Sequence, residues 1–108
     1  MNEVEDYKEV YQKKSSLEEN RGFKGIWIPK ETWLNTDLSI IEKCLIAEID
    51  SLDNDKQRGC FASNEYLSKF LGITEGTTAN LISKLKKMGY LKQIFFDGRR
   101  RGLRVVSN

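Results

Sequence analysis

Residues 62–91 read Ala-Ser-Asn-Glu-Tyr-Leu-Ser-Lys-Phe-Leu-Gly-Ile-Thr-Glu-Gly-Thr-Thr-Ala-Asn-Leu-Ile-Ser-Lys-Leu-Lys-Lys-Met-Gly-Tyr-Leu. Ser63 is a good helix N-cap, and Glu65 falls in the first turn, where the positive end of the helix dipole favours an acid. Tyr66, Leu67, Phe70 and Leu71 then recur at helical spacing as an inner face. Gly72 stands where a left-handed residue stops a helix. Thr74 caps a second, longer helix over residues 75–88, with Thr78, Leu81, Ile82, Leu85 and Met88 facing inward and Gly89 ending it. Two short amphipathic helices joined by so tight a turn have the grammar of a helix-turn-helix.

The chain runs on into a β-prone segment, an Asp97-Gly98 turn and the cluster Arg99, Arg100, Arg101, Arg104. Asp-Gly between two β-prone segments signals a hairpin. Three consecutive arginines cannot share one face of a strand, so the tip must be splayed or looped. Leu91, Ile94, Phe95, Phe96, Leu103, Val105 and Val106 supply apolar side chains that anchor the hairpin to the body. A helix-turn-helix followed by a basic hairpin is the pattern of a winged helix. The expected fold is therefore α+β: a three-helix core, a small antiparallel sheet, a β-hairpin wing and an N-terminal helical extension.

Upstream, residues 39–42 form a capping box in which Ser39 and Glu42 satisfy each other's backbone amides. The helix that follows carries Ile41, Cys44, Leu45, Ile49 and Leu52, widened by Ile40 and Ala47, which implies a central and mostly buried element. Residues 53–55 end it in a polar loop, and Cys60-Phe61 suggests a short strand. Residues 23–28 are β-prone and closed by Pro29, so they read as the first strand of the sheet. Residues 30–34 read as a helical turn burying Trp33 and Leu34. Residues 4–14 place Val4, Tyr7 and Tyr11 on one side of a helix, and residues 17–22 read as a charged connector. Two units follow: an extension over residues 1–20 and a winged domain over residues 21–108.

The net charge of +2 conceals an asymmetry. Residues 1–20 hold six acids and three bases, a net −3; residues 21–83 hold nine acids and seven bases, a net −2. Residues 84–108 hold eight bases against Asp97 alone, a net +7. A basic C-terminal third on a near-neutral body suggests one face built for a polyanion. At 108 residues the chain suits a single modest core. The acidic N-terminus is not a secretory signal, and no apolar run reaches the roughly 20 residues of a membrane span. A cytoplasmic protein is expected, with Cys44 as a buried free thiol. Two cysteines without ligand spacing and no histidine argue against a metal site. With no nucleophile–base pair and no phosphate loop, neither an enzyme nor a cofactor is expected.

The outward residues of the helix over residues 75–88 are Glu75, Gly76, Thr77, Asn80, Ser83, Lys84 and Lys87. A major groove accepts such a helix, with its N-terminal residues at the base edges. Asn80 has the donor–acceptor pair that matches adenine, Thr77 offers a hydroxyl and a methyl, and Lys84 and Lys87 suit phosphates. Glu75 can accept from a cytosine amino group but repels phosphate. Gly76 costs about 1 kcal/mol of helix propensity relative to Ala, which points to a close approach there or to a loose first turn. Arg99, Arg100, Arg101 and Arg104 are candidates for a minor groove or for phosphates, and Ser63 and Asn64 for further phosphate contacts.

The strings Gly25-Ile26-Trp27-Ile28-Pro29-Lys30, Glu48-Ile49-Asp50-Ser51-Leu52-Asp53, Cys60-Phe61-Ala62-Ser63-Asn64 and Phe96-Asp97-Gly98-Arg99-Arg100-Arg101 carry a resemblance. They are similar to the helix-turn-helix domain of replication-initiation proteins and regulators from Gram-positive phages, plasmids and integrative elements, over about residues 23–106. That resemblance implies a winged helix binding duplex DNA through its third helix and wing. Three roles are consistent with it: a regulator of a mobile element, an origin- or transfer-site-binding module working with replication or transfer proteins, and a winged helix used for protein contacts. The stripe Val4, Tyr7, Tyr11 is too short to fold alone. It packs on its own domain, pairs with a second copy to make a homodimer, or frays.

Overall fold

The computed structural model describes residues 25–106. Their elements are α1 (Lys30–Trp33), α2 (Ile40–Ser51), α3 (Asn64–Leu71), α4 (Glu75–Lys87), β1 (Leu91–Phe96) and β2 (Arg101–Val105). This is the expected α+β winged helix-turn-helix. The core is one cluster of Leu38, Leu45, Ile46, Ile49, Cys60, Leu67, Ile82, Leu85, Leu91 and Leu103, drawn from α2, α3, α4, both strands and two connecting segments.

The helix ends follow the local chemistry. The Ser39 hydroxyl accepts from the Glu42 N–H, and Glu42 Oε1 accepts from the Ser39 N–H at 2.8 Å, so the capping box is complete. Ser63 caps α3 by accepting from the Tyr66 N–H at 3.0 Å, and Gly72 closes it in the left-handed region at φ 71°. Thr74 caps α4 by accepting from the Thr77 N–H at 3.1 Å.

The expected inner stripe of α2 holds at Leu45, Ala47 and Ile49 and is corrected toward its N-terminal end. Glu42, Leu45, Ile46 and Ile49 point inward, whereas Ile40 and Ile41 are exposed and Cys44 is half-buried. Engaged with Ser39, the Glu42 side chain lies on the buried side, and successive residues turn by about 100° from there. A carboxylate in the buried stripe defeats a reading based on apolar residues alone. The free thiol that is fully buried is Cys60 rather than Cys44. α1 forms as expected, but Trp33 on it and Leu34 at its C-cap are more than half exposed. In α4 the inner face is Thr78, Ile82 and Leu85, with Met88 exposed.

β1 and β2 pair antiparallel from Leu91↔Val105 to Phe96↔Arg101, with a bulge between Gln93 and Phe95. On the far side of β2, Cys60 forms a single bridge to Leu103, with reciprocal N–H···O bonds of 2.8 and 3.0 Å. The strand expected over residues 23–28 does not appear in the described part of that segment: residues 25–29 pair with nothing in the sheet, and Trp27 is 81% exposed. Cys60 already takes the outer edge of β2 at Leu103, and Pro29 has no N–H to give a ladder. The bulge region is tight. A Cβ on Gly102 would lie 1.6 Å from the Arg58 carbonyl oxygen, so only glycine fits between β1 and the loop before Cys60.

Val4, Tyr7, Tyr11 and the rest of the N-terminal extension lie outside the described residues. No described helix is long and apolar enough to cross a membrane.

Candidate nucleic-acid interface

α3 and α4 are set at their angle by a turn of only three residues. The Gly72 N–H and the Ile73 N–H both donate to the Ser68 carbonyl, which closes α3 before Thr74 opens α4. Thr78 is buried on α4, and its hydroxyl donates back to the Thr74 carbonyl at 2.9 Å, so a polar side chain sits in the core without an unmet bond. With Thr78, Ile82 and Leu85 facing inward, Gly76, Asn80, Ser83 and Lys87 form the opposite stripe at spacings of four, three and four, all exposed.

Along that stripe the Asn80 amide has no partner among the described residues. Thr77 Oγ accepts from Thr74 Oγ at 2.9 Å, which leaves its own hydroxyl proton free to point outward. A Cβ on Gly76 would meet nothing within 4 Å, so the first turn of α4 presents bare backbone to solvent.

Lys84 lies to one side of the stripe. Its ammonium reaches Glu42 Oε2 on α2 at 2.9 Å. Glu42 is almost fully buried. Burial raises its pKa, but the Ser39 N–H, the Lys84 ammonium and the Ser39 hydroxyl together bring it below the ordinary value. Glu75 lies on the other side, in an open cleft with Phe61, Ser63, Asn64, Glu65, Arg99, Arg100 and Arg101. The cleft joins the start of α3, the start of α4 and the wing.

The hairpin tip is a four-residue loop, Asp97 to Arg100, wider than a bare Asp-Gly turn, because Phe96 and Arg101 are the last pair of the ladder. The Asp97 carboxylate accepts from the N–H groups of Arg99 and Arg100 at 3.0 and 2.8 Å, and those bonds, the Arg100 one foremost, hold its pKa below the ordinary value. Gly98 takes φ 93° to complete the loop. The four arginines then divide. Arg99 is exposed with no side-chain partner among the described residues. Arg100 lies 5.0 Å over the Phe61 ring and 3.7 Å from Asp97, still largely open to solvent.

Arg101 turns inward instead. Its guanidinium donates to the Ala62 carbonyl at 2.7 Å and to Asn64 Oδ1, tying the root of the wing to the first turn of α3. Its burial lowers its pKa from the ordinary value. Arg104 is held by both oxygens of Asp53, at 2.8 and 3.0 Å, and by the Asp55 carbonyl at 2.9 Å. Those bonds, above all the one to Asp53, raise its pKa, and it lines a different cleft with Asn35, Asp50 and Tyr90. The structure thus brings Arg99 and Arg100 together with Ser63, Asn64 and Glu75, uses Arg101 as the bracket of that group, and places Arg104 elsewhere.

Arg58 was not foreseen. It lies 5.5 Å from the Phe61 ring and 6.0 Å from the Phe95 ring, is paired with Asp55 at 2.7 Å, and its carbonyl abuts Gly102. No local pattern marks it, since its partners on the wing are some 40 residues away in sequence. Among the described residues no group of His, Cys, Asp and Glu could hold a metal ion.

Residues 36–91 match the sequence profile of a family described as a helix-turn-helix domain, which is more than half of the chain. The chain belongs to that helix-turn-helix family. The match runs from the residues before α2 to the start of β1, so it covers both helices of the motif and every core residue but Leu103. The wing lies beyond it and is defined by the structure. No curated protein and no solved structure matches the chain. Helix-turn-helix membership supports DNA binding as the general activity of this domain.

Proposed function

We propose that this chain is a sequence-specific duplex DNA-binding protein that acts as a transcriptional regulator of a mobile genetic element. α4 enters a major groove, Thr77 and Asn80 read base edges, and Arg99 and Arg100 engage phosphates or the adjacent minor groove. The reading is supported by two observations together: an outward polar stripe on α4 with no side-chain partner among the described residues, and two solvent-facing arginines in the cleft beside it, which α4 reaches through Glu75. A solvated helix face needs no such neighbour. A base-reading face does, because phosphate contacts hold its register on the duplex. The N-terminal turn of α3, with Ser63 and Asn64 in the same cleft, offers amide donors to a phosphate. The regulatory role and the mobile-element setting rest on the resemblance of the four sequence strings.

The test is selection from random duplexes followed by a salt titration on the best site. With Lys87, Arg99 and Arg100 as the phosphate contacts, log K against log salt should have a slope of about −3. No binding to any duplex at low salt overturns the reading and leaves an acidic protein partner for the wing. A footprint beside a promoter supports regulation. A footprint on direct repeats at an origin or transfer site replaces it with an initiator module. Sedimentation with a palindromic site decides whether two chains share it: a complex of one chain per duplex excludes the homodimer.

A further inference from the structure

Lys84 stands on α4, the helix proposed to contact DNA, yet its ammonium is paired with Glu42. Glu42 Oε1 is engaged by the Ser39 N–H, and Oε2, which has no solvent contact, has no hydrogen-bond donor aligned on it. Lys84 Nζ at 2.9 Å is the sole positive charge paired with it among the described residues. The two residues belong to different helices, so the pair ties α2 to α4 on the flank of the outward stripe.

We infer that Glu42 is a restraint on DNA affinity: it withholds Lys84 from the phosphate backbone and uses it to set the rotation of α4. The asymmetry of burial decides this. Lys84 is more than half exposed, so a phosphate contact by it would form in high dielectric, where salt and water screen it. Glu42 Oε2 is buried, and a buried carboxylate stripped of its counter-charge is far more costly than such a contact is favourable. Departure of Lys84 toward DNA is therefore disfavoured while Glu42 is ionised, and the lowered pKa keeps it ionised at neutral pH. The effect is to cap the number of sequence-independent phosphate contacts, which protects the ratio of specific to random binding.

The inference rests on the DNA-binding reading above, and one variant separates the two. Glu42→Gln keeps an oxygen for the Ser39 N–H, because glutamine also completes a capping box, but it removes the charge that holds Lys84. On random duplex, Glu42→Gln should steepen the log K against log salt slope by about 0.9, the value of one added phosphate contact, and raise affinity roughly tenfold near 50 mM salt. The double variant Glu42→Gln/Lys84→Met should return the slope to that of the unmodified chain. Lys84→Met alone should leave the slope unchanged where it folds; the double variant, which strands no buried carboxylate, decides the matter if a single variant does not fold.

A slope that becomes shallower by about 0.9 in Lys84→Met means Lys84 already contacts phosphate, which overturns the inference. An unmodified chain that binds with normal salt dependence, together with an unaltered slope in folded Glu42→Gln, overturns it while leaving DNA binding intact. An unmodified chain that binds no duplex removes both.

Discussion

At the scale of single residues, steric room and hydrogen-bond supply decide what each position tolerates. Gly102 is the sharpest case. A methyl group there would overlap the Arg58 carbonyl oxygen at 1.6 Å and touch Phe95 Cβ at 3.0 Å, with no flexible side chain able to yield. Gly102→Ala should destabilise the fold by roughly 3 kcal/mol or more through forced backbone displacement, read as a lower urea midpoint. Asn80 is the opposite case, because nothing in the described fold uses its amide. Asn80→Ala should leave the urea midpoint unchanged, weaken the selected DNA site by roughly 1–3 kcal/mol and leave random duplex nearly unaffected. Equal losses on both duplexes would show that α4 does not read bases. The sequence marked Arg99, Arg100, Arg101 and Arg104 as one cluster. Nothing in four nearby guanidiniums says which will find a carbonyl or a carboxylate, and that choice belongs to the contacts.

At the scale of elements, caps and one inter-helical ion pair govern α2 and α4. Thr74 caps α4 and also bonds Thr77, so Thr74→Ala should cost about 1 kcal/mol of stability and loosen the first turn, where the bare backbone of Gly76 already adds freedom. Hydrogen exchange at the Thr77 and Thr78 amides would report that fraying. Glu42 adds a pH dependence whose sign follows from its lowered pKa. The unfolded chain titrates this carboxyl near the ordinary value of 4.5, and the folded chain below it. The stabilisation is therefore complete above about pH 4.5 and is lost as pH falls through the folded value. Unfolding followed by fluorescence between pH 6 and pH 3 should show that loss, and Glu42→Gln should flatten it. The caps at Ser39, Ser63 and Thr74 were legible in the sequence because capping is local, set within three or four residues. The N-terminal part of the face that α2 buries was not, since the ionised Glu42 carboxylate, paired with Lys84, is buried there while Ile40 and Ile41 are exposed.

At the scale of the whole molecule, the two thiols report how the domain opens. Cys44 is half-buried in a shallow apolar groove with Ile26, Ile40, Ile41 and Leu71, whereas Cys60 is fully buried at the junction of β2 with the core. Burial also pushes the Cys60 thiol above its ordinary pKa, which lowers its thiolate fraction and its reactivity. A thiol reagent at neutral pH should modify Cys44 quickly, and Cys60 only at a rate that tracks global unfolding. Fast modification of both in native buffer would mean that the Cys60–Leu103 bridge opens locally.

The helix-turn-helix, its capped ends, the hairpin and the basic bias of the last 25 residues were determined by the sequence alone. Each depends on side chains within a few positions of one another or on a sum of charges. The tertiary structure decided what depends on distant partners. It gave the outer edge of β2 to Cys60 instead of residues 25–29, buried Glu42 beside Lys84, and split the arginine cluster. Arg101 and Arg104 carry the same charge as Arg99 and Arg100, but packing placed Ala62, Asn64 and Asp53 within their reach and left Arg99 and Arg100 facing water. Composition sets how much charge a face can hold; only the fold determines which of those charges remain free to meet a partner.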